Sequence, residues 1–102
     1  MKHRVPTCPI GKVVGLLGDS CSILIVRDLL EGPKRFSELE TSLSGVSSRT
    51  LAKKLKLLEH ERLVGKKEMK GKPACVKYQL TKKGAAFHEV VGAMRAYGKK
   101  YL

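Results

Sequence analysis

Apolar residues recur along this chain at two spacings, and each spacing predicts one type of secondary structure. Spacings of three and four residues predict helices at about 9–17, 20–31, 36–43, 48–61 and 82–101. Before the last helix, residues 64–69 and 74–80 predict two strands. In the second strand, the apolar positions 76, 78 and 80 alternate with Lys77 and Gln79. One face of this strand is therefore expected to be core, and the other to face solvent or a ligand.

Glycines and a serine mark the ends of these elements. Gly18 ends the first helix, and Gly32, with the proline after it, stops the second. Ser47 is the predicted N-cap of the fourth helix, because its hydroxyl can accept from the free amides of the first turn. Four helices, a hairpin and a last helix predict an α+β, mainly helical, winged helix-turn-helix. We expect it to form one domain, residues 1–102.

The fourth helix is predicted to have one apolar face and one cationic face. At about 100° per residue, Leu51, Leu55 and Leu58 fall within one narrow arc, which must face the core. The first turn and the opposite face carry the candidate DNA contacts, which are Ser47, Ser48, Arg49, Thr50, Lys53 and Lys56. First-turn side chains of such a helix reach base edges, and lysines farther along suit phosphates. Taken alone, this charged face is equally well explained as a solvated surface.

The hairpin that follows favours the DNA interpretation. Five lysines lie at its turn and flanks, namely Lys66, Lys67, Lys70, Lys72 and Lys77, and only Glu68 opposes them. One or two lysines can protect a strand edge against pairing, but five exceed that need. We therefore predict that these side chains contact phosphates of duplex DNA.

The charge of the whole chain points to the same class of partner. Its 102 residues include 21 Lys and Arg against 9 Asp and Glu, a net charge of +12. Such an excess indicates a nucleic acid or an anionic membrane surface, whereas a surface of ion pairs would need near balance. No apolar run is long enough for a membrane helix, and no signal peptide is recognisable at the N-terminus. We expect a cytoplasmic protein that binds no membrane.

The distribution of cysteine and histidine indicates neither a metal site nor an enzyme. Three cysteines without a Cys-x-x-Cys pair favour reduced thiols over a disulfide framework or a zinc module. The three histidines are scattered, and no nucleophile–base pairing or phosphate-binding glycine loop is recognisable. We therefore expect no catalytic residues, no metal and no cofactor.

Several motifs together resemble the HxlR family of transcriptional regulators, which are relatives of the MarR group. The resemblance covers about Cys8 to Tyr97 and rests on segments 8–10, 32–39, 47–51, 55–59, 63–64 and 78–84. It implies a homodimeric winged helix that binds operator DNA, with the first and last helices of each subunit forming the dimer interface. The chain differs from the family pattern at Cys21, where the family usually has tryptophan.

The predicted dimer interface combines this resemblance with the apolar stripe of the last helix. Its candidate residues are Ile10, Val13, Val14, Phe87, Val90, Val91, Met94, Tyr97 and Tyr101. A chain of this length has little core with which to cover such a stripe, so a partner subunit is the natural cover. The alternative is that the stripe binds a small aromatic ligand.

Cys8 is a candidate sensor of a small electrophile or oxidant. The resemblance supports this role, since some HxlR-like regulators respond through a cysteine near the N-terminus. A thiol at a helix N-terminus also ionises more easily because of the helix dipole. The alternative is that Cys8 is only a small buried residue of the dimer interface.

Two further functions compete with a sequence-specific regulator of a pseudo-palindromic operator. The first is architectural, chromatin-like binding of DNA with low specificity, which the charge of about +24 on a dimer favours. The second is a winged-helix module for protein interactions. The latter predicts that Arg49→Ala and Lys53→Ala leave DNA binding unchanged.

Overall fold

The computed structural model of the protein describes residues 8–69 and 72–102, and of residues 69 and 72–74 it describes the backbone alone. Its elements are α1 (Pro9–Leu17), α2 (Ser20–Leu29), β1 (Lys34–Arg35), α3 (Phe36–Ser42), α4 (Ser48–His60), β2 (Val64–Met69), β3 (Lys72–Leu80), α5 (Lys82–Ala85) and α6 (His88–Tyr101). This order confirms the predicted winged helix-turn-helix. Helices α3 and α4 form the helix-turn-helix, and β2 with β3 forms the wing.

The sheet has three antiparallel strands in the order β1-β3-β2. In β1, a strand of two residues, Lys34 pairs with Tyr78 and Arg35 pairs with Lys77. Strand β1 was not predicted from the sequence, because two residues are too few to show an alternating pattern. This strand attaches the wing to the start of α3.

The core lies between α2, α3, α4 and the base of the wing. The three leucines of α4 that were predicted to face inward are buried: Leu51, Leu55 and Leu58. They pack in one cluster with buried residues of α2 and α3, including Ile25 and Leu39. The apolar face of α4 is therefore fixed against the core, and its other face is turned outward.

The prediction of one last helix over 82–101 was wrong. The chain forms a short α5, then breaks at Ala86 and Phe87 before α6 begins at His88. Phe87 is half-buried against the core, and Gly84 is buried beneath the connection between α4 and β2. The break separates α5, which packs on the base of the wing, from α6, whose residues are mostly exposed.

Among the described residues, no single helix is both long and apolar enough to span a membrane. Helices α1 and α2 meet that criterion only as a pair, and they are bent by 88° relative to each other.

Candidate nucleic-acid interface

The first turn of α4 is built by two serines whose hydroxyls have structural partners. The Ser47 hydroxyl accepts a hydrogen bond from the Thr50 amide at 3.1 Å, which makes it the N-cap. The Ser48 hydroxyl donates to the carboxylate of Glu40 on α3. Both serines were predicted as DNA contacts, but their hydroxyls are already used to hold the start of the helix.

The outward face of α4 presents the predicted cations. Arg49, Lys53 and Lys56 are exposed, as is Thr50. Within the part of the chain that the structure describes, none of these three cations forms an ion pair. Lys54 differs, since its ammonium lies 3.5 Å from the carboxylate of Asp19. The face thus offers three free positive charges to a ligand.

Asp19 connects this helix to the start of α2. Its carboxylate accepts from the Ser22 amide at 2.8 Å and caps α2. Partial burial raises the pKa of Asp19, but the hydrogen bonds from Ser22 and the charge of Lys54 outweigh it, so the pKa is lowered. The ionised form of Asp19 is therefore the one that this junction stabilises.

The wing lysines lie on two different faces of the sheet. Lys66 pairs with Tyr78, whereas Lys67 pairs with Lys77. Paired residues share a face and neighbouring residues alternate, so Lys66 and Tyr78 lie on the face opposite to Lys67 and Lys77. Arg35 also pairs with Lys77 and adds a cation to that second face. Lys70 and the side chain of Lys72 lie outside the described residues.

The face that carries Lys66 lies beside α4, which as the second helix of the helix-turn-helix is the recognition helix of this fold. A trough of about 580 Å³ runs between α4 and the wing, and it is lined by Arg49, Ala52, Lys53, Lys56, Glu59, Lys66 and Tyr78. The Lys66 ammonium lies 5.9 Å from the centre of the Tyr78 ring. We call this the α4–wing trough. Tyr78 was predicted from the sequence to lie on the core side of its strand, with no role in this surface.

Arg35 and Glu38 organise the junction between β1 and α3. The Glu38 carboxylate accepts from the Arg35 amide at 2.7 Å, which caps the helix. That hydrogen bond is the largest cause of the lowered pKa of Glu38, and the charges of Lys77 and Lys34 act in the same direction. The Arg35 guanidinium donates to the sulfur of half-buried Cys75 at 2.9 Å.

The two other cysteines occupy opposite environments. Cys8 is exposed at the N-cap of α1, where the amides of Gly11 and Ile10 lower the pKa of its thiol. Cys21 is buried in the core, where desolvation raises the pKa of its thiol. Cys8 is therefore the more readily ionised of these two thiols.

The predicted dimer residues divide into exposed and inward-facing sets. Most of the large apolar side chains on α1 and α6 are exposed, including Ile10 at 74% and Met94 at 54%. Exposed with them are Val13, Val14, Val90, Tyr97 and Tyr101. Val91 is only 7% exposed, and Phe87 packs against the core of its own chain. These two residues belong to the intramolecular face of α5 and α6.

Among the residues that the structure describes, no group of three or more His, Cys, Asp or Glu side chains is arranged to hold a metal ion.

Comparison with known proteins identifies the family. The model of the HxlR-like helix-turn-helix family matches residues 16–102. An uncharacterised HTH-type transcriptional regulator from Synechocystis, sll1512, is 36% identical over 95 residues, which cover 93% of this chain and 70% of that protein. The HTH-type transcriptional regulator YodB of Bacillus subtilis is 35% identical over 95 residues, covering 92% of this chain and 85% of YodB.

Two solved structures of YodB extend the similarity to the fold. The reduced form aligns with a TM-score of 0.80 at 34% identity, covering 94% of this chain and 95% of that one. The quinone-bound form aligns with a TM-score of 0.78 at 33% identity, covering 93% and 100%. The chain therefore belongs to the HxlR-like helix-turn-helix family and is a transcriptional regulator of that type, not an enzyme.

Proposed function

We propose that this regulator binds a pseudo-palindromic operator in duplex DNA as a homodimer. The observation that carries the proposal is the division of α4 into a buried leucine face and an outward face with three unpaired cations. A helix fixed in this way can enter the major groove without disturbing the core. Two such helices in a symmetric dimer would meet half-sites about one DNA turn, roughly 34 Å, apart.

Arg49 is the residue that we assign to base recognition. It is exposed in the first turn of α4, and the serines on its N-terminal side are held by Thr50 and Glu40. A guanidinium at this position can donate two hydrogen bonds to a guanine edge. We assign Lys53 and Lys56, farther along the helix, to phosphates. Among the wing lysines, the described side chains of Lys66, Lys67 and Lys77 suit phosphates as well.

The homodimer is supported by the exposed apolar faces of α1 and α6. Ile10 and Val14 on α1, and Met94 and Tyr97 on α6, leave large apolar areas in water. The rings of Tyr97 and Tyr101 also contact each other, with centres 4.9 Å apart and planes tilted by 42°. Covering these surfaces with a second subunit removes apolar area from water and brings two α4 helices into one particle.

A thiol switch at Cys8 is the regulatory part of the proposal. Cys8 is exposed, and the first-turn amides of α1 lower the pKa of its thiol. A larger thiolate fraction makes a cysteine more reactive toward an oxidant or a small electrophile. The similarity to a regulator solved in a quinone-bound form supports such an effector. We place the protein in the cytoplasm, where its DNA is and where thiols stay reduced.

The thiol switch is tested by comparing two cysteine variants. A quinone, which adds to one thiolate without needing a second thiol, should weaken operator binding by the wild type and by Cys75→Ser, but not by Cys8→Ser. Cys75 is the control, because it is a second free thiol, half-buried and on a different element. A response that persists in Cys8→Ser would exclude Cys8 as the sensor.

The competing proposal is architectural binding with low specificity, which the net charge of +12 per chain favours. Sequential selection from a randomised duplex library separates the two functions. Convergence of the wild type on an inverted repeat supports the dimeric regulator. Tight binding without convergence supports the architectural protein, and no binding at all leaves only a protein-interaction module.

Selection with Arg49→Ala tests the base-reading role directly. We expect a loss of about 1–3 kcal/mol on the best site and relaxed preference at one base of each half-site. Lys56→Ala is the control, since loss of a phosphate contact should weaken all sequences alike. If Arg49→Ala also weakens every sequence equally, its assignment to a base is wrong.

A further inference from the structure

The α4–wing trough is lined by side chains of both α4 and the wing, and the two elements together give it a composition that neither has alone. Its cations come from both elements: Arg49, Lys53 and Lys56 from α4, and Lys66 from β2. Glu59 is the only carboxylate among its lining residues, and Tyr78 supplies an aromatic ring. A cavity with four cations, one anion and one aromatic ring suits an anion that also carries apolar groups.

The α4–wing trough does not end at the wing but joins a second depression beside it. This second depression of about 440 Å³ shares Lys66 and Tyr78 with the trough and extends to Phe36 and Ser37 at the start of α3. The shared residues make one extended channel, which runs from the cations of α4 past Lys66 toward the start of α3. This shape suits a linear polyanion better than a compact one, because an elongated ligand can follow the channel past the cations of α4 and Lys66.

Tyr78 lies at the junction of the two depressions. Its ring is half-buried against the core, and the Lys66 ammonium lies 5.9 Å from the ring centre. Within the described part of the chain, the structure shows no hydrogen bond of the Tyr78 hydroxyl, unlike the hydroxyls of Ser47, Ser48 and Thr81. The phenol is thus a free donor in a cationic channel, and tyrosine is one of the side chains that donate to DNA phosphates.

We propose that this channel holds one sugar–phosphate strand of the duplex and that Tyr78 donates its hydroxyl to a phosphate at the centre of the channel. The inference rests on the proposed DNA-binding function and adds a path for one strand and a new contact residue. The Lys66 ammonium neutralises phosphate charge on the same stretch of the DNA strand, and the Tyr78 ring packs against a deoxyribose. The hydroxyl is neutral, so it strengthens binding without releasing a counterion.

The difference between a neutral and a charged contact gives the first test. On the selected duplex, Tyr78→Phe should weaken binding about tenfold and leave the slope of log affinity against log salt unchanged. Lys66→Gln should lower that slope by about 0.9 per subunit. Lys99→Gln is the charge-matched control on α6, outside the channel, and should leave the slope as in the wild type. Melting curves of Tyr78→Phe and wild type should coincide, because the buried ring is retained.

A second measurement locates the phosphate and does not depend on the stability of the variant. Each phosphate of the duplex is replaced singly by a neutral methylphosphonate, and the affinity of wild type and Tyr78→Phe is measured for each position. One position per half-site should weaken the wild type about tenfold more than it weakens Tyr78→Phe. If every position weakens both proteins by the same factor, the assignment of Tyr78 is overturned.

The outcomes separate this inference from the function on which it rests. A wild type that binds no duplex overturns the proposed function and the channel together. A second outcome is that the wild type binds duplex DNA, that Tyr78→Phe binds it with the same affinity, and that Lys66→Gln leaves the salt slope unchanged. This outcome overturns the channel alone. In that case the strand passes over α4 and the wing without entering the space between them.

Discussion

Gly84 is a position where one added methyl group should destabilise the whole wing. Gly84 is buried in α5, and a Cβ built on it would lie 2.2 Å from the Leu63 carbonyl oxygen and 3.0 Å from a Leu80 methyl carbon. The same oxygen accepts a hydrogen bond from the Thr81 amide at 3.0 Å. Helix α5 therefore packs directly on the backbone that connects α4 to β2, at a distance that only glycine permits.

The cost of Gly84→Ala follows from this contact. The Cβ and the oxygen would have to separate by at least 0.8 Å, from 2.2 Å to 3.0 Å. Leu63 lies between α4 and the first wing strand, so the shift displaces α5 and strains the hydrogen bond to Thr81. Overpacking and a weakened backbone hydrogen bond together should cost about 2–4 kcal/mol of unfolding free energy.

Urea denaturation of wild type, Gly84→Ala and Gly65→Ala at one protein concentration measures this cost. Gly65 is the matched control, because it also lies in the wing region but a Cβ there meets no atom within 4 Å. We expect Gly65→Ala to stay within about 0.5 kcal/mol of wild type. If Gly84→Ala loses no more than Gly65→Ala, the junction between α5 and the wing is not the rigid contact that we infer.

Two further predictions concern the caps beside the recognition helix. Ser47→Ala should lower the unfolding free energy by about 1 kcal/mol through loss of the hydrogen bond to Thr50, and Ser48→Ala by less, as denaturation curves will show. Asp19→Asn keeps a cap acceptor but removes the charge. Because the folded pKa of Asp19 is lowered, ionisation stabilises the fold above its unfolded pKa of about 3.9, and this contribution is lost as pH falls through the folded pKa. The stability difference between wild type and Asp19→Asn should therefore shrink on acidification, and a pH-independent difference would exclude this role.

The order of the elements was predictable because most of them show a full period of apolar residues. In α4, the buried positions Leu51, Leu55 and Leu58 are spaced by four and three, which no strand would give. Strand β1 has two residues and therefore no period. The break between α5 and α6 was also missed, because Phe87 continues the helical spacing while tertiary packing turns the chain. Local patterns thus identified the long elements and failed where tertiary contacts decide.

The candidate interface was predictable in its charge but not in its arrangement. Adjacent lysines on a strand look equivalent in sequence, yet Lys66 joins the α4–wing trough while Lys67 lies on the opposite face. The alternation of β3 suggested that Tyr78 belongs to the core, and its ring does pack there. Its second contact, with the trough, depends on the distance between α4 and the wing. The spacing of residues along one strand gives no information about that distance.

The residue types that we propose to contact DNA also hold α4 in place, so a count of cations overstates the candidate interface. Lys83 donates to the Glu61 carbonyl at 2.9 Å and so satisfies the C-terminal end of α4, while Lys54 is paired with Asp19. A cation at the C-terminal end of a helix interacts favourably with the helix dipole. These two lysines stabilise α4 from both sides and leave its outward face to Arg49 and its neighbours. We therefore expect the net charge of the chain to serve two purposes, orienting α4 and attracting the proposed duplex, and only the second should appear in the salt dependence of binding.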